Sequence, residues 1–183
     1  LYPYYFVKVC LGQDELVDRL HGMEMERFIR LIFDGMIKQW IEWPRGHFKT
    51  TCFTIGCGIW FILPWTEEDR KYAIEVLGIP SSEWAWRSSL HNQDFSQLVA
   101  FENATNASRK IGEIKELFEK NQLFRACFPE IAYSGKEEPW STDALKIRRT
   151  PKTQAGEATF QGVGVGGALQ SQHYDIIWED DVF

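Results

Sequence analysis

The run from Cys52 to Trp65 is almost unbroken in apolar residues, and the segment directly before it, Pro44-Arg45-Gly46-His47-Phe48-Lys49-Thr50-Thr51, is charged, polar and turn-forming. Such a run has to be buried. It is shorter than the ~20 residues a membrane span requires, and Gly56, Gly58 and Pro64 interrupt it. No signal-peptide pattern precedes it, so it reads as a core helix of a chain with no membrane association. Upstream, Ile37, Gln39, Ile41 and Trp43 alternate in the way of a strand over 36–43. A strand, a tight polar turn and a buried helix in that order constrain the fold more than any other feature.

The remainder of the chain supplies elements to surround that helix. Residues 14–34 have helical periodicity, with Gly22 as the expected break between two pieces. Residues 66–80 suggest a short helix ended by Gly78 and Pro80, and Ser81 is a plausible cap for another. Residues 95–103 read as a buried strand, and 105–122 as an amphipathic helix with Ile111, Ile114, Leu117 and Phe118 on one side. Residues 129–143 read as loop. Strands are expected at 145–150, 158–165 and 174–181. Strands alternating with helices predict the α/β class, a mostly parallel sheet covered by helices on both faces.

Composition agrees with one globular domain: 183 residues, 44% hydrophobic and 25% charged. Its net charge of −6 speaks against a surface that is basic throughout, so any grip on nucleic acid would be local. The 4 cysteines contain no C-x-x-C pair, which argues against a zinc site; Cys52 and Cys57 read as buried free thiols.

The turn has the ingredients of a triphosphate site. Such a site needs a tight turn with inward N–H groups, a lysine on the outer phosphates and a hydroxyl on Mg²⁺, usually spelled G-x-x-x-x-G-K-[ST]. Here Lys49 and Thr50 are in place and a helix N-terminus follows to attract anions, but Trp43 and Phe48 occupy the two glycine positions. Its natural counterpart is an apolar strand ending in carboxylates, and Tyr174 to Asp181 provides one. Glu179, Asp180 and Asp181 in a row repel one another unless a cation is near.

Proline-arginine-glycine-histidine, then Lys49-Thr50-Thr51, resembles the variant phosphate loop of viral (bacteriophage-type) terminase large subunits, in their N-terminal ATPase domain. The stretches 101–130, 140–149 and 160–175 resemble that family in order and spacing. Ser171-Gln172-His173 departs from it, where a Gly and then a basic residue are common, and residues 64–94 match poorly. The resemblance implies a P-loop NTPase core of the RecA/ASCE type over 36–183, behind a helical segment at 1–35. It implies ATP and Mg²⁺ as cofactors, with Pro44 to Thr51 cradling the phosphates. Lys49 would bridge the outer phosphates, Arg45 would contact phosphate or sense its release, and Thr50 and Asp180 would hold Mg²⁺. Asp181 would take the catalytic position, or Glu179 if the register is shifted by one. The implied function is ATP hydrolysis driving double-stranded DNA into a capsid, in a ring with portal protein and small terminase subunit as partners, in the host cytoplasm. A helicase-like motor and a non-hydrolysing module with a decayed loop are the alternatives.

Leu1 at the start and the stop just after the acidic run lead us to expect a core cut after the acidic strand, without the family's nuclease domain and its activity. Weaker candidates are Lys146, Arg148, Arg149 and Lys152 for DNA phosphate and Trp84 and Trp86 for base stacking. For each, a solvated or packing role is the plainer reading. His47 and His173 are ambiguous, and Glu24 and Met25 lie where such ATPases often hold adenine.

Overall fold

The computed structural model describes residues 2–36, 38–44, 46–76, 78–83, 85, 90–91, 94–136, 139–147, 157–167 and 172–180. Four strands form one mixed sheet: β1 (Gln97–Phe101), β2 (Ala144–Leu145), β3 (Phe160–Gly164) and β4 (Ile176–Glu179), in the order β2-β3-β1-β4. Central β1 runs parallel to β3 and to β4, and β2 closes one edge antiparallel to β3. The chain is therefore α/β in organisation.

Helix cover was expected on both faces and is corrected: among the described residues the helices pack on the face carrying Gln97, Val99, Phe160, Gly162 and Trp178, while Ile177 and Glu179 on the other face are exposed. The helix expected from the long apolar run, here α3, begins as Thr50–Cys57 in wide π-type turns and continues as Gly58–Phe61. Its inner residues Cys52, Phe53, Ile55, Cys57, Ile59 and Trp60 are all buried. Gly58 lets α3 approach the sheet: a Cβ there would lie 3.0 Å from Gln97 Oε1 and 3.1 Å from the Phe160 ring. Gln97 Nε2 donates to Gly58 O at 2.9 Å and Trp178 Nε1 donates to Gln97 Oε1 at 2.9 Å, so the polar atoms of this buried layer are satisfied. The buried thiols agree with the sequence reading; burial pushes Cys52 up to about 12 and Cys57 well above its ordinary value.

On the same face of the sheet, beside α3, lies α5 (Ala104–Lys120), which follows α4 (Glu67–Lys71 continuing as Tyr72–Val76) in chain order. Asn103 caps α5, its side chain accepting from Asn106 N at 2.9 Å. Ala107, Ile111, Ile114 and Phe118 are its buried stripe. The strand glycines permit that contact, since a Cβ on Gly164 would meet Ala104 N at 2.3 Å and one on Gly162 would meet Ile111 Cγ1 at 2.8 Å.

The N-terminal segment is helical: α1 is Pro3–Tyr5 continuing as Phe6–Cys10, and α2 is Asp18–Gly22 continuing as Met23–Phe33. Gly22 was expected to divide two helices, but it has helical angles (φ −65, ψ −47) and carries the chain through. Phe28 of α2 packs edge-on to Phe53 and tilted on Trp178, so α2 braces α3 and the last strand.

Two expected strands are corrected. Among the described residues of 36–43 there is no strand; Ile41 and Trp43 are half-buried against the core, and Gln39 Nε2 donates to Phe28 O at 3.2 Å. Alternation there records one wet side and one packed side, without the partner that makes a ladder. The strand expected over 145–150 is reduced to Ala144–Leu145, and 148–150 lie outside the described residues.

Candidate functional site

The polar turn holds two residues with positive φ, Gly46 and Phe48. Gly46 (φ 81) is the third residue of a turn closed by His47 N–H donating to Pro44 O at 3.3 Å, a position that favours glycine. Phe48 is the one described non-glycine residue with positive φ, at 57°. It stands where the motif has its second glycine. Lys49 then returns to right-handed angles (φ −49, ψ −57) and Cys52 N donates to Phe48 O at 2.8 Å, starting the helix. A left-handed residue followed by a right-handed one is the alternation that makes anion-binding backbone concavities. Packing holds Phe48 in this conformation: its ring meets buried His21 edge-on at 5.9 Å, and Trp43 meets the same imidazole at 5.3 Å.

Asp180 follows β4 directly, and its N–H donates to Ala100 O at 2.9 Å. Strand alternation turns its side chain to the α3 side, along with Trp178. Its carboxylate is only 3% exposed, with Oδ1 3.4 Å from Lys49 Nζ. Thr54 Oγ1 donates to Oδ2 at 3.1 Å across 126 positions of sequence. Oδ1 accepts no hydrogen bond; the lysine is close enough to pair with it but not aimed to bond. A buried carboxylate with one unsatisfied oxygen beside a lysine is an arrangement that receives a cation.

The turn forms one wall of a cleft of about 550 Å³, which also contains Glu102, Asn106 and Lys110. It opens at the carboxyl ends of the parallel strands, beside β1, where the chain goes first to β3 and later to β4 on the other side. Open α/β sheets bind ligands at such a place. Glu102 comes one residue after β1, and Asn106 and Lys110 follow at intervals of four, so they share a face of α5. Lys110 is held by Glu113 at 2.7 Å, with 16% of its side chain exposed.

The structure therefore brings together Pro44, Gly46, His47, Phe48, Lys49, Thr50 and Thr51 along the cleft, with Asp180 behind Lys49. Glu179 does not join them. It pairs with Ala100 on the opposite face of β4 from Asp180 and is exposed. Arg45 and Asp181 lie outside the described residues, as do Arg148, Arg149, Lys152, Trp84 and Trp86. Met25 is fully buried in the core and Glu24 pairs with Arg27 at 3.9 Å; neither lines the cleft. His173 is exposed and its carbonyl accepts from Ser96 Oγ. Lys146 is half-buried beside buried Leu145 and Ile147.

Four residues escaped the sequence reading. Thr54 had a signal, a hydroxyl one helical turn after Thr50 inside an apolar run. Glu102 had one too, an acid directly after an apolar strand, the same pattern noticed at Asp180. Asn106 and Lys110 had none beyond their spacing.

Among the described residues no group of three or more His, Cys, Asp or Glu converges on a metal position. A nucleotide-bound Mg²⁺ needs only one or two protein ligands beside phosphate oxygens and water. Asp180, with its orphaned Oδ1, and Thr50, on the helical face of Thr54, fit that requirement. No helix among the described residues is long and apolar enough to cross a membrane. No protein-family description, curated protein or solved structure matches this chain.

Proposed function

We propose that this chain binds Mg²⁺-ATP in the cleft above β1 and hydrolyses it, as a P-loop motor domain of the terminase type. One observation carries the reading: Lys49, on a turn with the left-handed residue the motif places before it, faces the buried carboxylate of Asp180 at 3.4 Å. These parts come from opposite ends of the chain, and together they match a triphosphate site: a curved backbone, a lysine, a helix N-terminus and a carboxylate behind them. In this reading Lys49 leaves Asp180 to meet the outer phosphates, and Asp180 and Thr50 hold the metal. Mg²⁺ held there would supply positive charge against the negative charge that develops on the phosphates.

Coupling of hydrolysis to double-stranded DNA, ring assembly and contact with portal and small terminase subunit rest on the sequence resemblance. A net charge of −6 keeps the DNA-facing part of that proposal to a local surface.

Equilibrium binding of a fluorescent ATP analogue tests the nucleotide reading. The parent should bind it in a Mg²⁺-dependent way and release it to excess ATP, while Lys49→Ala and Asp180→Asn bind at least ~10-fold more weakly, as for loss of a charge-assisted contact. Equal retention by all three proteins would set the phosphate-loop reading aside.

A further inference from the structure

We infer that Glu102 is the carboxylate that activates the attacking water. The inference rests on the ATP-binding reading above and chooses among the described carboxylates, Asp181 lying outside them. Hydrolysis needs a carboxylate near the terminal phosphate that neither the metal nor a lysine occupies. Asp180 does not qualify: Lys49 and Thr54 engage it and it is 3% exposed. Glu179 does not qualify either, because strand alternation places it on the face of β4 away from Asp180 and outside the cleft.

Glu102 meets the requirement on three counts. It lines the same cleft as Lys49 and Thr50. It is solvent-exposed, so water reaches it, and among the described residues no hydrogen bond or ion pair holds its carboxylate. It also sits at the carboxyl end of the strand next to β4: Asp180 N donates to Ala100 O, which leaves Glu102 just past the level of Asp180 on the adjoining strand.

In the step, a water oxygen forms a bond to the γ-phosphorus while the bond from that phosphorus to the β–γ bridging oxygen breaks. ADP leaves with the electron pair of the broken bond. Glu102 takes one proton of the water and returns it to the released phosphate or to solvent. Lys110, held by Glu113 on the same helix face, keeps positive charge on that side of the cleft.

The test measures Mg²⁺-ATP binding and phosphate release side by side in the parent, Glu102→Gln and Glu102→Asp. Glu102→Gln should bind as the parent does and lose turnover by at least ~100-fold, the lower range for removing a general base. Glu102→Asp should keep binding and recover part of the rate. Parental turnover in Glu102→Gln, or a loss of binding that accounts for the lost rate, would overturn the assignment. A parent that binds ATP but releases no phosphate would overturn it as well. A parent that binds no ATP would instead reject the phosphate-loop reading, and this inference with it.

Discussion

Replacing Phe48 with glycine should leave the protein more stable than replacing it with alanine, which inverts the usual order. Phe48 has φ 57, and a side chain in the left-handed region costs about 1–2 kcal/mol. Both variants lose the same ring contact with His21, at 5.9 Å between centroids. Because Phe48 is half-buried, that loss is about 1 kcal/mol, below the range for a fully buried aromatic. Alanine keeps the strain. Glycine removes it and loses roughly 0.5–1 kcal/mol through its freer unfolded chain. The difference favours glycine by about 0.5–1 kcal/mol, and a protein of this size shifts about 2–4 °C per kcal/mol. Urea titration followed by fluorescence of the 8 tryptophans would show a higher midpoint for Phe48→Gly at an unchanged slope. A Phe48→Ala protein equal to or more stable than Phe48→Gly would mean that the turn is not left-handed there, and the argument for a preserved phosphate loop would lose its geometry.

Gly164→Ala should destabilise by at least ~2 kcal/mol, because the new Cβ would meet Ala104 and Asn103 backbone at 2.3 and 2.6 Å. Gly112→Ala, mid-helix with nothing within 4 Å, should stabilise by about 0.5–1 kcal/mol; thermal melts of both separate close packing from mere loop preference. Thr54→Val should cost about 1–3 kcal/mol, since it leaves Asp180 Oδ2 buried without its donor, and a gain in stability would contradict the buried pair. With a thiol reagent, exposed Cys127 should react first, while Cys52 and Cys57, whose burial holds them protonated, react only on unfolding. Because their folded values are raised, folding favours the protonated thiols, and that contribution falls away as pH rises past the unfolded value, so the alkaline side is where stability should decline.

Legibility differed by the kind of interaction. The strands at 97–101, 160–164 and 176–179 could be read as short runs of strand-forming residues with turn residues between them, and α5 because one stripe of it is buried. The segment before the turn misled because alternation at Ile41 and Trp43 reports burial on one side, whereas a strand also needs a hydrogen-bonded neighbour. The lysine, the threonines and Asp180 could be read from order along the chain. Phe48 looked like a departure from the motif, since a sequence names the side chain and not the φ angle that packing against His21 imposes. Glu102 and Thr54 depend on which strands lie side by side, which no local pattern encodes.

The central claim is that the turn and Asp180 form a nucleotide site, and ligand-induced thermal stabilisation tests it most directly. The measurement compares melting with and without Mg²⁺ and a non-hydrolysable ATP analogue, in the parent and in Lys49→Ala. Only the ligand-induced difference counts, because Lys49→Ala also leaves the Asp180 charge without its partner and should melt lower on its own. At ~100 times the dissociation constant the parent should gain about 2.7 kcal/mol, and Lys49→Ala should gain almost none. A cooperatively melting parent that gains nothing, or a mutant that gains as much as the parent, would contradict the account.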